Sequence, residues 1–192
     1  MAASVLLDLS RVVSDLLTLA RPALGTRTEL ITRLVRLIVR ELDLAFPWEF
    51  EVAARLSQIG LLAVADQSHS AAARGEPLSD EEWLALVSHP LVARDLLAGV
   101  GRLAGVRGMI ERQREPFALQ DEPSAPIQLR DRVVLGGHVL RVCSDYAALL
   151  ERDVGPREAL ARLSSQPLEC DPALVSVLAL CVSADDTSPR AA

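Results

Sequence analysis

One pattern constrains this chain more than any other. Apolar residues recur at helical spacing along almost its whole length, and no stretch alternates cleanly enough to read as a strand. The expected fold class is therefore all-α. A first amphipathic helix is expected from Ala3 to Ala20, with Val5, Leu6, Leu9, Val12, Val13, Leu16 and Leu17 as its stripe and Arg21-Pro22 as its stop. A second runs from Thr28 to Leu44. Pro47 suits a first helical position, so a third helix is expected from Trp48 to Val64. Residues 66–78 are small and polar and read as a loop. Ser79-Asp80-Glu81-Glu82 has capping-box spacing and opens a short helix to Val87. His89-Pro90 is expected to start the next, and residues 103–114 form another. Three prolines and no periodicity mark 115–128 as a loop. A long helix follows from Leu129 to Arg152, a short one from Gly155-Pro156, and a last one from Asp171-Pro172 to Val182. The final ten residues read as frayed.

Charge narrows what such a bundle can do. The 192 residues carry 20 Lys+Arg against 26 Asp+Glu, and every one of those cations is arginine. Without lysine there is neither a Schiff-base amine nor a P-loop lysine. A formal net charge of −6 argues against nucleic acid as a partner. The three histidines, His69, His89 and His138, leave little material for a histidine-rich metal site. Cys143, Cys170 and Cys181 are odd in number and far apart, which reads as reduced, buried thiols. No apolar run reaches the ~18 residues of a membrane span, and the N-terminus lacks a basic region followed by an apolar one. The expected setting is cytoplasmic, with no membrane partner.

Motifs refine the picture. Gly75-Glu76-Pro77-Leu78-Ser79-Asp80-Glu81-Glu82-Trp83, followed by His89-Pro90, is similar to the G-x-L-[ST]-x-E-E-W…H-P stretch of the HD-GYP family. Leu135-Gly136-Gly137-His138-Val139-Leu140-Arg141-Val142 resembles that family's L-G-A-R-I-L-x-V. Pro156-Arg157-Glu158-Ala159-Leu160 echoes P-x-E-A-L, and Cys170-Asp171-Pro172-Ala173-Leu174-Val175 echoes F-D-P-x-L-V. The resemblance runs from Thr28 to about Leu178. It implies a compact HD-type bundle of about seven to nine helices, divided as an N-terminal amphipathic helix over 1–24, a degenerate HD-GYP-like domain over 25–183 and a disordered tail over 184–192.

The resemblance also implies chemistry that these residues have lost. HD-GYP enzymes open cyclic di-GMP with two or three metal ions held by His and Asp ligands. The naming His-Asp pair falls on Ser57 and Gln58, and the following lysine on Leu61. An upstream metal histidine falls on Arg27. The family's His-His-Glu falls on Gln113-Arg114-Glu115, and its later metal aspartate on Ser144, with Asp145 displaced about 100° around the helix. Pro116 to Ile127 contains no G-Y-P. Of the implied ligand positions only His89 keeps its histidine, and one imidazole does not make the four to six donors an ion needs.

These eight positions (Arg27, Ser57, Gln58, Leu61, His89, Gln113, Arg114 and Ser144) are the expected vestige of an active site, with no catalytic residue, no metal ligand and no cofactor. His89 reads either as a helix starter or as a remnant ligand. Asp66 and His69 are weak replacement ligands, Glu115 pairs more simply with Arg112 or Arg114, and His138 is a packing or surface histidine. Arg27 and Arg114 either fill the former pocket or clamp an anion there. The leading expectation is a pseudoenzyme that acts as a protein-interaction or regulatory module in bacterial signalling. A residual metal phosphohydrolase and a non-hydrolysing nucleotide or anion sensor are the alternatives, with cyclic di-GMP a less favoured ligand. The first helix either packs on the domain or pairs with its copy in a homodimer, since Val5, Leu9, Val12 and Leu16 are spaced as a coiled-coil seam and family members pair through such a helix.

Overall fold

A computed structural model describes residues 2–119, 127 and 130–186. Every regular element among them is helical, as the apolar spacing predicts. In chain order they are α1 (Ala2–Ala20), α2 (Pro22–Glu41), α3 (Pro47–Leu56), α4 (Asp66–Ala73), α5 (Asp80–Leu96), α6 (Ala104–Arg112), α7 (Arg132–Leu150), α8 (Pro156–Ser164) and α9 (Pro172–Asp186). Short 3-10 turns cover Ile59–Ala63, Gly101–Leu103 and Phe117–Leu119.

The bundle is arranged around α7. Its Asp131 side chain caps the helix by accepting from the Val133 and Val134 amides at 2.9 and 3.1 Å. Ten α7 residues from Leu135 to Ala147 are buried, and α2, α3, α6, α8 and α9 all pack against it. By length and composition α7 is the one described helix long and apolar enough to cross a membrane, but more than half of it is buried inside the bundle. The α6–α7 pair is tight because three glycines lie along it: a Cβ on Gly108, Gly136 or Gly137 would come within 2.4–2.6 Å of the opposite helix. A single apolar core joins Ile31, Ile38, Phe50, Met109, Ile110, Leu140 and Leu178, and a smaller cluster joins Leu17, Leu24, Leu61 and Val64.

Several boundaries differ from the sequence expectation. Pro22 does not merely stop α1; it is the first residue of α2, which therefore begins six residues before Thr28. Thr26 and Thr28 are absorbed by bonding back to the Pro22 and Leu24 carbonyls at 3.2 and 2.8 Å. The third helix ends at Leu56, and the chain tightens into a 3-10 turn rather than continuing to Val64. Residues 66–73, expected as loop, form α4, with Asp66 2.6 Å from Arg21 and the Ser68 hydroxyl donating to Glu82 at 2.7 Å. The capping box at Ser79 and Glu82 is present as expected. The helix it opens does not stop at Val87, however, and His89-Pro90 starts nothing: α5 runs through Pro90 to Leu96. An interior proline forfeits one helical hydrogen bond, and at this point α5 is held from outside by its crossing with the 59–63 turn. The last helix reaches Asp186, four residues past the expected end and into the expected tail; the rest of the tail, and residues 120–126 of the expected G-Y-P loop, lie outside the described residues.

Candidate functional site

The turn after α3 places Ser57 and Gln58 in the interior, at 0% and 1% exposure. Neither is left unpaired. The Ser57 hydroxyl donates to the Ala54 carbonyl at 2.9 Å and accepts from Gln58 Nε2 at 2.9 Å. Gln113, at the end of α6, donates to the Ser57 carbonyl at 3.4 Å. Gln58 Oε1 in turn accepts from Arg27 Nε at 3.1 Å. Four of the positions singled out in the sequence thus form one hydrogen-bonded network.

Arg27 is its hub. It enters from α2 with 13% of its side chain exposed, donates to the Ser144 carbonyl of α7 at 3.2 Å, and closes on Glu151 in an ion pair. Glu151 was not among the sequence candidates, although it lies seven residues after Ser144 and so two turns along the same helical face. The Ser144 side chain contributes nothing here: its Oγ is buried with no hydrogen-bond partner among the described residues. Leu61, where the resemblance implies a lysine, is 2% exposed and belongs to the smaller apolar cluster.

His89 and Arg114 stand beside this network, on a cavity of about 560 Å³. That volume is in the range of small-molecule sites. His89 is 7% exposed, and its Nδ1 has no hydrogen-bond partner among the described residues. Burial first, then the positive fields of Arg114 and Arg27, push its pKa down to about 3, so the ring is neutral at physiological pH. Its main chain is pressed onto Gly60, where a Cβ would lie 1.9 Å from the His89 carbonyl oxygen. Arg114 is more exposed. Desolvation, with Arg141 and Arg27 acting in the same direction, lowers its pKa against the pull of Asp145 and Glu169; a guanidinium stays charged regardless.

The remaining walls were not foreseen as a group. His69, Trp83, Arg152, Arg162 and Asp145 also line the cavity. His69 belongs to α4 rather than to a loop, and burial lowers its pKa. Asp145 faces the cavity from the helical position next to Ser144, and it is paired with Arg141 at 3.5 Å. Glu115 makes the ion pair with Arg112 that its sequence neighbourhood predicts, at 2.7 Å. His138 lies away from the cavity, at 1% exposure and edge-on to Phe117 at 5.8 Å, so it is a packing histidine rather than a surface one.

This geometry can be set beside known proteins. A family model described as an HD domain matches residues 11–174. The chain belongs to the HD-domain family. No curated protein matches it. The match covers α2 to α8, with the second half of α1 and the start of α9, and therefore the whole of the cavity's framework.

An HD domain implies a metal-dependent phosphohydrolase, and the residues of this cavity can be tested against a metal ion. They do not fit one. Among the described residues no three His, Cys, Asp or Glu side chains come together as a ligand set. The guanidinium of Arg27 lies between Gln58, Ser144 and Glu151. A divalent ion there would lose both its donors and its charge balance: Glu151 is already neutralised, and Arg27 would repel the ion at short range.

Proposed function

We propose that this HD domain is a catalytically inactive, HD-GYP-like regulatory module, acting through protein contacts in bacterial cytoplasmic signalling. One observation carries the reading. Arg27 occupies the centre of the vestigial site and is held there by contacts to Gln58 after α3 and to Ser144 and Glu151 of α7 and its C-terminal cap, so a cation of the chain's own sits among the former ligand positions. An arginine so fixed serves structure at the expense of metal binding, since a water activated by a metal is the nucleophile such a reaction needs.

The test has two readouts. Purified chain, supplied with Mn²⁺ or Fe²⁺, is expected to release no product from cyclic di-GMP or from bis(p-nitrophenyl) phosphate, and elemental analysis is expected to find less than about one ion in ten chains. Turnover that a chelator abolishes overturns the reading in favour of a residual phosphohydrolase.

A second reading rests on a separate observation, the charge of the open cavity. Among the described residues neither Arg114 nor Arg152 has a carboxylate partner; Arg152 donates to the Ala72 carbonyl at 3.0 Å. The cavity's acids, Asp145 and Glu151, are paired with Arg141 and Arg27. Two guanidiniums without a carboxylate partner among the described residues, on a chain of net charge −6, favour an anion. Under this reading the module also senses a phosphate-bearing small molecule without hydrolysing it. Calorimetry with cyclic di-GMP and with inorganic phosphate, on the parent and on Arg114→Ala, separates the two readings: saturable binding lost in the variant supports sensing, and no heat from the parent leaves protein contacts alone.

A further inference from the structure

Outside the cavity just described, α2 carries a row of arginines. From Thr32 to Arg40 every exposed residue of this helix is arginine: Arg33, Arg36 and Arg40, spaced three and four apart and so on one face. They line a second cavity of about 540 Å³, which shares no residue with the first. Its deepest lining is apolar. Val35 and Val39 are 1% and 5% exposed, and Leu44 and Pro47 continue that lining where the chain turns into α3.

The cations of this groove exceed the acids that could satisfy them. Only Asp43 and Glu51 bring negative charge to the lining. Glu51 is already engaged by Arg55 at 3.0 Å, which leaves Arg36 a distant contact at 3.7 Å, with 63% of its side chain in solvent. Arg40 has no carboxylate partner among the described residues. An aliphatic slot rimmed by such guanidiniums complements a ligand that brings carboxylates and an apolar side chain together.

We propose that the groove between α2 and α3 docks an acidic segment of a partner protein, with carboxylates on Arg36 and Arg40 and an aliphatic side chain against Val35 and Val39. The proposal rests on the protein-contact part of the function proposed above and gives that contact a place and a chemistry. Length favours a peptide over a single small anion. Arg33 to Arg40 span about 10 Å of helix, the reach of roughly three extended residues. A polynucleotide fits less well, because phosphates gain nothing from the aliphatic lining and Asp43 and Glu51 oppose a continuous run of negative charge. A net charge of −6 disfavours an acidic partner on most of the surface, so the row also fixes where it lands. So small a contact makes a transient complex that salt weakens.

Peptide display on the full chain tests the pairing. Random 12-residue peptides selected on the parent are expected to be enriched in sequences that hold at least two acids and an aliphatic residue within seven positions. In fluorescence anisotropy, Arg36→Glu/Arg40→Glu is expected to weaken a selected peptide at least thirtyfold, and the milder Arg36→Gln/Arg40→Gln at least fivefold, both with unchanged circular dichroism. Arg102→Glu/Arg157→Glu makes the same change of net charge on exposed arginines outside the groove and is expected to cost less than threefold. Serine in place of the peptide's aliphatic residue is expected to cost at least fivefold. A selection without acidic enrichment, or equal losses in the two glutamate variants, overturns the acidic partner at this groove. An indifferent serine exchange overturns the apolar half of the contact. Tighter binding of a 12-nucleotide oligothymidylate, with the same arginine dependence, overturns the protein partner in favour of nucleic acid. A failed selection leaves the absence of catalysis standing, and metal-dependent turnover would leave the peptide results standing, so the two readings fail separately.

Discussion

At the scale of the residue, the chain's most consequential side chain is Arg27. Its guanidinium links α2 to Gln58 of the post-α3 turn, to the Ser144 carbonyl and to Glu151. Each of these bonds has a charged donor, and both members of the ion pair are less than a third exposed, so the cluster is worth more than a surface pair. Arg27→Met should keep the aliphatic stem and lose all of the bonds, at a cost of roughly 1–3 kcal/mol in urea unfolding. Glu151→Gln made in that background should then cost under about 0.5 kcal/mol more, because its partner is already gone. Additive losses in the double variant would show that the two side chains do not act as a pair. The same position shows what a sequence can and cannot say about a site. That a cation replaces a ligand at 27, and that Ser57, Gln58 and Gln113 stand on related positions, is legible from the motifs. That Glu151 neutralises the cation is not, because nothing local joins residues 27 and 151; only the packing of α2 against α7 does.

At the scale of the element, the crossing of α5 over the 59–63 turn holds the cavity wall in place. Gly60 is fully in contact there: a methyl group would meet the His89 carbonyl at 1.9 Å and the Ala93 amide at 3.0 Å, and backbone cannot step aside as a side-chain tip can. Gly60→Ala is therefore expected to destabilise by about 2–4 kcal/mol, whereas Gly99→Ala, with open space around it, should stay within about 0.5 kcal/mol. Equal midpoints for the two would mean that α5 yields at the crossing. Helix existence was readable throughout this chain, because a 3.6-residue period survives without knowledge of the fold. Helix ends were less so. Pro22 and Pro90 carry the same local signal and have opposite outcomes: at the first position of α2 the missing N–H costs nothing, while inside α5 the loss is outweighed by the contacts around it. Residues 66–73 lack apolar periodicity, yet they are helical where Arg21 and Glu82 hold Asp66 and Ser68. His69, and with it one wall of the cavity, was misplaced for that reason.

At the scale of the whole molecule, burial lowers the pKa of every histidine, and this sets how the fold meets acid. Burial is the first cause in all three: it lowers His69, takes His138 to about 4 and takes His89 to about 3. Around His138, Asp171 and Glu115 pull upward while Arg141 and Arg130 push downward; around His89 the fields of Arg114, Arg27 and His69 all push downward. In the unfolded chain the rings recover an ordinary value near 6.5. Because the folded values are depressed, the stabilisation is fully present above pH 6.5 and is lost as the unfolded state takes up protons that the folded state refuses. Both His89 and His138 are nearly inaccessible, so each contributes close to a full proton, and together they should remove roughly 3 kcal/mol between pH 6.5 and 5. Glu76 and Glu82, whose carboxyls are held below the usual range by hydrogen bonds from Arg74 and from Ser79 and Ser68, release their protons below that window. His138 isolates one share of the effect. Among the described residues neither of its ring nitrogens, both buried, has a hydrogen-bond partner, so His138→Leu removes polar atoms that gain nothing from burial there. The variant should be at least as stable as the parent at pH 7, and its unfolding free energy should fall about half as steeply from pH 6.5 to 5. An unchanged slope in His138→Leu would assign the acid sensitivity elsewhere, and a parent with flat stability over that range would mean that the buried histidines accept protons without unfolding.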